Sequence, residues 1–470
     1  MTRCVRTGLA VFLVALAAVS PAAMAARGTL TVPCVTGRSE ARPFVGHPGW
    51  VEVFTKGYGV STSARIDDHA TFELPDPTKP VCLIASLDKF ETPPIILGRW
   101  PTAPGDYDVP IPVEYACLPV GFPGEWDPKQ KVEGRDLFQA FVPRCTQLYG
   151  VLFFGEARVA DWGNEVHVML HKGVPTDQPI PMKDQVSPDP GWEGKIDRVS
   201  TNQSREPWLR MGWRHGNMPV EPGQTYVLEV EGYRSHSGKH HETGAFIRPD
   251  KGDGYPDGHA SVGEQKTEGD LCCLIFGNAH GQLVENHIRC EEWEVFIPRH
   301  RPTVDWGQTF VSHGQSLAGI TCWAAVEGDA EVKCEIRVRE EGPWGKMLKP
   351  AKVARGLESP ARPLIRYLDT PAPLPGYESW YKLPARLFQA AYIPDEMPLT
   401  PGKTYYVELV PTRPVMMYAD GDFYQEGYAY YEGLKMDRAI AGGTTKHSKR
   451  WTLAMSIVTY ANKNGTPESR

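Results

Sequence analysis

Apolar and polar side chains alternate at a period of two through much of the chain. Trp50-Val51-Glu52-Val53-Phe54, Ala70-Thr71-Phe72-Glu73-Leu74 and the denser Val81-Cys82-Leu83-Ile84-Ala85-Ser86-Leu87 are separated by turn residues such as Asp67-Asp68-His69. This period places successive side chains on opposite faces of a strand, one toward a core and one toward water. The same reading predicts strands at Ile95-Ile96-Leu97, Val166 to Leu170, Thr225 to Val230, Leu271 to Phe276, Ile336 to Val338, Thr404 to Val410 and Trp451 to Tyr460. The 43 prolines and 46 glycines are spread along the chain. Proline breaks helices and is confined to strand edges and turns, so short strands fit this composition better than long helices. The expected fold class is all-β.

The pattern repeats. Gln139-Ala140-Phe141-Val142 recurs as Gln308-Thr309-Phe310-Val311, and Leu148-Tyr149-Gly150-Val151 as Leu317-Ala318-Gly319-Ile320, both 169 positions on. Met218-Pro219-Val220-Glu221-Pro222-Gly223-Gln224-Thr225-Tyr226 recurs as Met397-Pro398-Leu399-Thr400-Pro401-Gly402-Lys403-Thr404-Tyr405, 179 positions on, so the second copy carries about ten extra residues in its middle. The stretch Gly252 to Ala260 recurs as Gly421 to Ala429, again at 169. Each copy opens an apolar strand with Pro-Gly-x-Thr-Tyr, a turn feeding a core strand.

Three β-sandwich modules in tandem follow from this: residues 26–118, a Gly/Pro-rich linker at 119–134, and the duplicated units at 135–290 and 291–470. The run Asp67-Asp68-His69-Ala70-Thr71-Phe72-Glu73-Leu74 resembles the Asp turn and x-Phe-x-Leu strand of transthyretin-like and carboxypeptidase regulatory-like domains. Asp88-Lys89-Phe90 departs from their turn glycine. The resemblance implies an accessory folding or interaction module. The duplicated units, with Pro-Gly-Lys-Thr-Tyr-Tyr-Val-Glu-Leu and the Asp-Gly-Asp-x-Tyr hairpin, resemble the galactose-binding-like and jelly-roll modules appended to exported proteins.

Arg3 and Arg6, the apolar run Leu9 to Val19 and Ala23-Met24-Ala25 read as a signal peptide over residues 1–25. The expectation is a secreted or periplasmic protein with no membrane span in the mature chain. A formal net charge of −7 offers no broad basic face, which argues against nucleic acid as a partner. Nine cysteines remain beyond Cys4, an odd number that leaves at least one thiol unpaired within a monomer. Disulfides and buried thiols are both open readings.

Three groups are candidates for chemistry. Asp250, Asp253 and Asp257, with counterparts Asp420, Asp422 and Glu426, sit in glycine-rich turns. Clustered carboxylates suit a structural calcium, and Asp with Gly also makes ordinary hairpins. No cofactor is otherwise required. Trp192, Trp208 and Trp213 in the first copy, and Trp380, Tyr381 and Tyr392 in the second, lie in irregular stretches. Tyr418, Phe423, Tyr424, Tyr428, Tyr430 and Tyr431 crowd the hairpin that follows. Such rings serve sugar platforms, cores and protein interfaces alike. If glycan binds, Trp192, Trp208, Trp213, Trp380 and Tyr381 are the expected contacts. His215, His236, His240, His241 and His259 show no zinc-protease spacing.

Neither a nucleophile elbow nor a phosphate-binding loop occurs. Glu291-Glu292 and Glu340-Glu341 read as charge runs. The leading expectation is a non-enzymatic binding or scaffold protein whose partner is a polysaccharide. The alternatives are a cell-surface assembly component that binds protein, and a polysaccharide hydrolase with its acids between modules.

Overall fold

The computed structural model describes residues 26–32, 42–43, 49–57, 60–74, 80–87, 95–100, 105–111, 113–116, 131–134, 136–157, 166–173, 194–196, 208–212, 218–232, 243–248, 258–263, 265–267, 269–277, 279–280, 283–287, 302–328, 331–358, 383, 385–421, 426–436 and 451–462. Every regular element among them is a β-strand, so the protein is all-β. No helix among them is long and apolar enough to cross a membrane.

The N-terminal part faces two four-stranded sheets across a core. One joins Arg42–Pro43, Ala26–Val32 and Thr71–Leu74, with Gly105–Pro110 parallel to Ala26–Val32. The other orders Val60–Ile66, Gly49–Thr55, Val81–Leu87 and Ile95–Trp100. Leu30, Val51, Val53, Phe72, Leu83 and Trp100 fill the space between. The Asp67 turn is closed by its own carboxylate, which accepts from the backbone N–H of His69 (2.9 Å) and Thr71 (2.8 Å) and from the Thr71 hydroxyl (2.7 Å). Burial pushes this carboxyl up, but those hydrogen bonds outweigh it and hold Asp67 below its ordinary value.

The remainder shows one pairing order twice. A six-stranded sheet runs Gly194–Ile196, Val166–Lys172, Tyr226–Gly232, Asp136–Phe141, Ala260–Val262, Gln265–Lys266. Its twin runs Met347–Arg355, Lys333–Glu340, Thr404–Pro411, Trp306–Val311, Ala429–Tyr431, Leu434–Lys435. In the facing sheets, Val113–Ala116, Cys273–Gly277, Gln147–Ala157 and Trp208–Gly212 pair in the same succession as Leu283–His287, Met455–Tyr460, Ser316–Ala325 and Ala385–Ala391. Each unit is therefore completed by a strand that precedes its sequence blocks. Leu283–His287 pairs into the sheet of the last unit rather than the middle one.

The framework bonds also repeat. Gln139 and Gln308 each donate to the next residue's carbonyl at 2.9 Å. Each accepts from a backbone N–H of a distant strand, Leu271 at 2.8 Å and Leu453 at 2.9 Å. In the Pro-Gly turns, Glu221 N–H donates to the Tyr226 hydroxyl (2.9 Å) and Thr400 N–H to that of Tyr405 (2.8 Å). Gly223 and Gly402 share a φ of +79°, which an L side chain resists. All six described cysteines, Cys82, Cys145, Cys272, Cys273, Cys322 and Cys334, are buried thiols.

Candidate functional site

The outer face of the six-stranded sheet in the last unit gathers partly exposed charged groups around the buried ring of Tyr406. Alternation on Lys333–Glu340 sends Cys334, Ile336 and Val338 into the core and Glu335, Arg337 and Arg339 outward. The neighbouring strand turns Tyr406 and Glu408 to the same side. Glu408 accepts from Arg339 at 2.9 Å and lies 3.5 Å from Arg337, which also bonds Glu335 at 2.6 Å. A Cβ at Gly307 would overlap the Tyr406 ring, so glycine lets that ring lie across the adjacent strand. Tyr430 meets it edge-on, with centroids 5.2 Å apart. Burial pushes the Tyr406 hydroxyl up, with Asp305 and Glu408 adding to the effect. Asp305 is likewise raised by burial and then by Glu408 and Glu432.

A tight hairpin overhangs this face. Glu340 N–H donates to the Lys346 carbonyl (3.0 Å), Gly345 N–H to that of Gly342 (3.0 Å), and Arg339 bonds the Gly345 carbonyl (3.3 Å). The turn holds Trp344 with 90% of its surface exposed. Its ring leans over Gly433, where an added Cβ would lie 3.4 Å from the indole. Leu434, next along, is 60% exposed, and the Lys435 ammonium sits 3.1 Å from the centre of the Tyr428 ring. Chemically this is an exposed indole on a hydrogen-bonded turn whose strand carries ion-paired guanidinium groups, suited to stacking and hydrogen bonding.

A second polar cluster lies where the N-terminal sandwich meets the last unit. The Lys352 ammonium, fully buried, is 3.1 Å from Glu396, donates to the carbonyls of Ala391 (2.6 Å) and Thr55 (3.2 Å), and lies 4.6 Å from the Tyr392 ring centre. Glu396 accepts from Gly57 N–H (2.7 Å) and Ile393 N–H (3.0 Å). Desolvation lowers Lys352, with Glu396 opposing it. The Cys82 thiol donates to the Tyr392 carbonyl (2.9 Å) beside the Tyr460 hydroxyl (3.1 Å), and burial pushes it up to about 12. These groups hold two units together and present no exposed face.

The residues singled out from sequence fare unevenly. Trp192, Trp213, Trp380, Tyr381, Phe423, Tyr424, Asp250, Asp253, Asp257, Asp422, His215, His236, His240 and His241 lie outside the described residues. Trp208 opens the strand Trp208–Gly212, opposite Phe154, and Asp420 pairs with Thr452 in Ala419–Gly421. Glu426 is engaged by His313 at 2.8 Å. Among the described residues no three His, Cys, Asp or Glu side chains group as metal ligands. Tyr392 and Tyr418 are core residues, and Tyr431 packs on Trp306. Trp344 was missed. Its signal was Gly342-Pro343-Trp344-Gly345, an aromatic in a turn that leaves it little to pack against. No protein-family model matches the chain, and no curated protein matches it.

Proposed function

We propose that the protein is an exported, non-catalytic binding protein that presents an aromatic platform to a polysaccharide. The observation that carries this reading is Trp344, 90% exposed on a hydrogen-bonded hairpin, its indole against Gly433 with the exposed Leu434 next along. A tryptophan side chain has only two torsions to lose on stacking against a sugar ring, so its contact area converts well into affinity. The ion pairs at Glu408 and the buried Lys352–Glu396 pair give these two carboxylates structural partners.

Thermal unfolding across a panel of soluble polysaccharides, with calcium and with EDTA, tests it, because a ligand of the folded state raises the melting temperature. One polysaccharide is expected to raise it. Trp344→Ala is expected to weaken that binding by about tenfold, ~1.4 kcal/mol, without altering unfolding in the ligand's absence. Binding that survives Trp344→Ala unchanged, or no binding by any polysaccharide, overturns the reading. A calcium-dependent shift would assign the metal to the Asp253 and Asp422 turns. Self-association in light scattering would favour the assembly reading instead, for which Met347–Arg355 offers a sheet edge with Val353 exposed.

A further inference from the structure

The outer face of the seven-stranded sheet in the last unit carries a polar row inside an apolar surface. Register places Gln389, Thr321 and Ser456 side by side on three adjacent strands. Directly opposed residues share a face, with Cβ atoms about 4.5–5.5 Å apart. One side of the row is apolar with Trp323, Leu387 and Ala454, the other with Ala391 and Val458. All three polar side chains are at least 98% buried. The Gln389 side-chain oxygen and the Thr321 and Ser456 hydroxyls have no hydrogen-bond partner among the described residues. The N-terminal sandwich closes over them. Ile96 packs against Gly319, and Gln389 donates its amide N–H to the Glu52 carboxylate.

The fold itself does not demand this row. At the matching register of the middle unit stand Arg210, Leu152 and Leu274. Two leucines thus occupy the positions of Thr321 and Ser456. Three buried polar atoms left unpaired would each cost about 1–3 kcal/mol. A site with several convergent polar groups is where buried water binds, each molecule making two to four hydrogen bonds.

We propose that ordered water binds in this row, bridging Glu52, Gln389, Thr321 and Ser456, and fastens the N-terminal sandwich to the last unit in a proton-linked way. Water fits better than a bare cation because the Gln389 oxygen needs a donor while both hydroxyls need donors and acceptors. Glu52 is the titrating member. Gln389 faces it from Ala385–Ala391 and Arg355 from Met347–Arg355, the latter shared with Glu331 at 4.0 Å. Its sheet neighbours Ser63 and Ile84 do not titrate, and Lys352 is closed on Glu396. Burial raises the Glu52 carboxyl to about 7, with Gln389 and Arg355 opposing. A carboxyl raised above its unfolded value favours the folded state at low pH, and that stabilisation is lost as pH climbs from about 4.5 through about 7.

Two sets of variants test this in the full chain. If water bridges the row, Thr321→Val and Ser456→Ala each lower the folding equilibrium constant by about three- to tenfold. If the row is dry, removing an unpaired buried hydroxyl leaves that constant unchanged or raises it, and the proposal falls. Between about pH 5 and about pH 8 the wild-type constant should fall by on the order of a hundredfold more than that of Glu52→Gln. Equal pH dependence in the two chains overturns the proton linkage, and the hydroxyl variants report on the row even where Glu52→Gln fails to fold.

Discussion

The middle and last units share a framework and differ in what they do with one sheet face. In the middle unit His171 meets Glu229 at 2.5 Å, with side chains only 6% and 4% exposed, and Phe138, Ala140 and Val227 form an apolar cluster on the same face. The matching positions in the last unit are Arg339 and Glu408, 2.9 Å apart and 22% and 16% exposed, beside Gly307, Thr309 and Tyr406. A basic side chain bonded to a carboxylate occupies the same place in both. Phe138 and Val227 help bury it in one copy, while in the other Tyr406 is buried over Gly307 and the Arg339–Glu408 pair stays partly exposed. The two units share the bonds that define the fold and differ on the outer face.

The largest expected effect concerns the junction between the N-terminal sandwich and the last unit. Lys352→Met leaves Glu396 as a buried carboxylate without its partner and should destabilise by about 3–5 kcal/mol in chemical denaturation. The double variant Lys352→Met, Glu396→Leu should recover much of that loss. Failure to recover it would mean the backbone bonds to Thr55, Gly57 and Ile393 matter more than the charges.

The paired sheet faces come next. His171→Ala should cost about 3 kcal/mol because Glu229 stays buried, whereas Arg339→Ala should cost less, about 1 kcal/mol, because Arg337 remains beside Glu408. Equal losses would break the comparison. The shared framework predicts the opposite pattern. Gln139→Ala and Gln308→Ala should each cost about 1–3 kcal/mol by leaving Leu271 or Leu453 N–H unpaired. Gly223→Ala and Gly402→Ala should each cost about 1–2 kcal/mol at the left-handed position. Unequal values within either pair would show that the copies are not energetically equivalent there.

The smallest effect is the exposed pair His313–Glu426. Its hydrogen bond to Glu426 raises His313 against an opposing desolvation. The stabilisation is therefore present below the ordinary histidine value and fades as pH rises through the raised one. His313→Ala should shift stability by less than about 1 kcal/mol, with the difference vanishing at high pH.

The alternating pattern by itself determined the all-β class and most of the strands, because a period of two is a local property of the chain. It also located the repeated blocks. Both Pro-Gly-x-Thr-Tyr stretches fold alike because proline, glycine and the tyrosine hydroxyl act within a few residues of one another. Only the tertiary structure decided which surfaces meet. Outward positions such as Glu52 and Phe54 alternate as if facing water, yet the last unit covers them. Gln389, Thr321 and Ser456 look like ordinary solvent-side residues of three separate strands until register lines them up. Lys352 and Glu396, or His171 and Glu229, lie 44 and 58 positions apart, and no local pattern joins them. Pairing between distant strands, and burial by another unit, are set by packing across the whole molecule, and that is where the polar row arises.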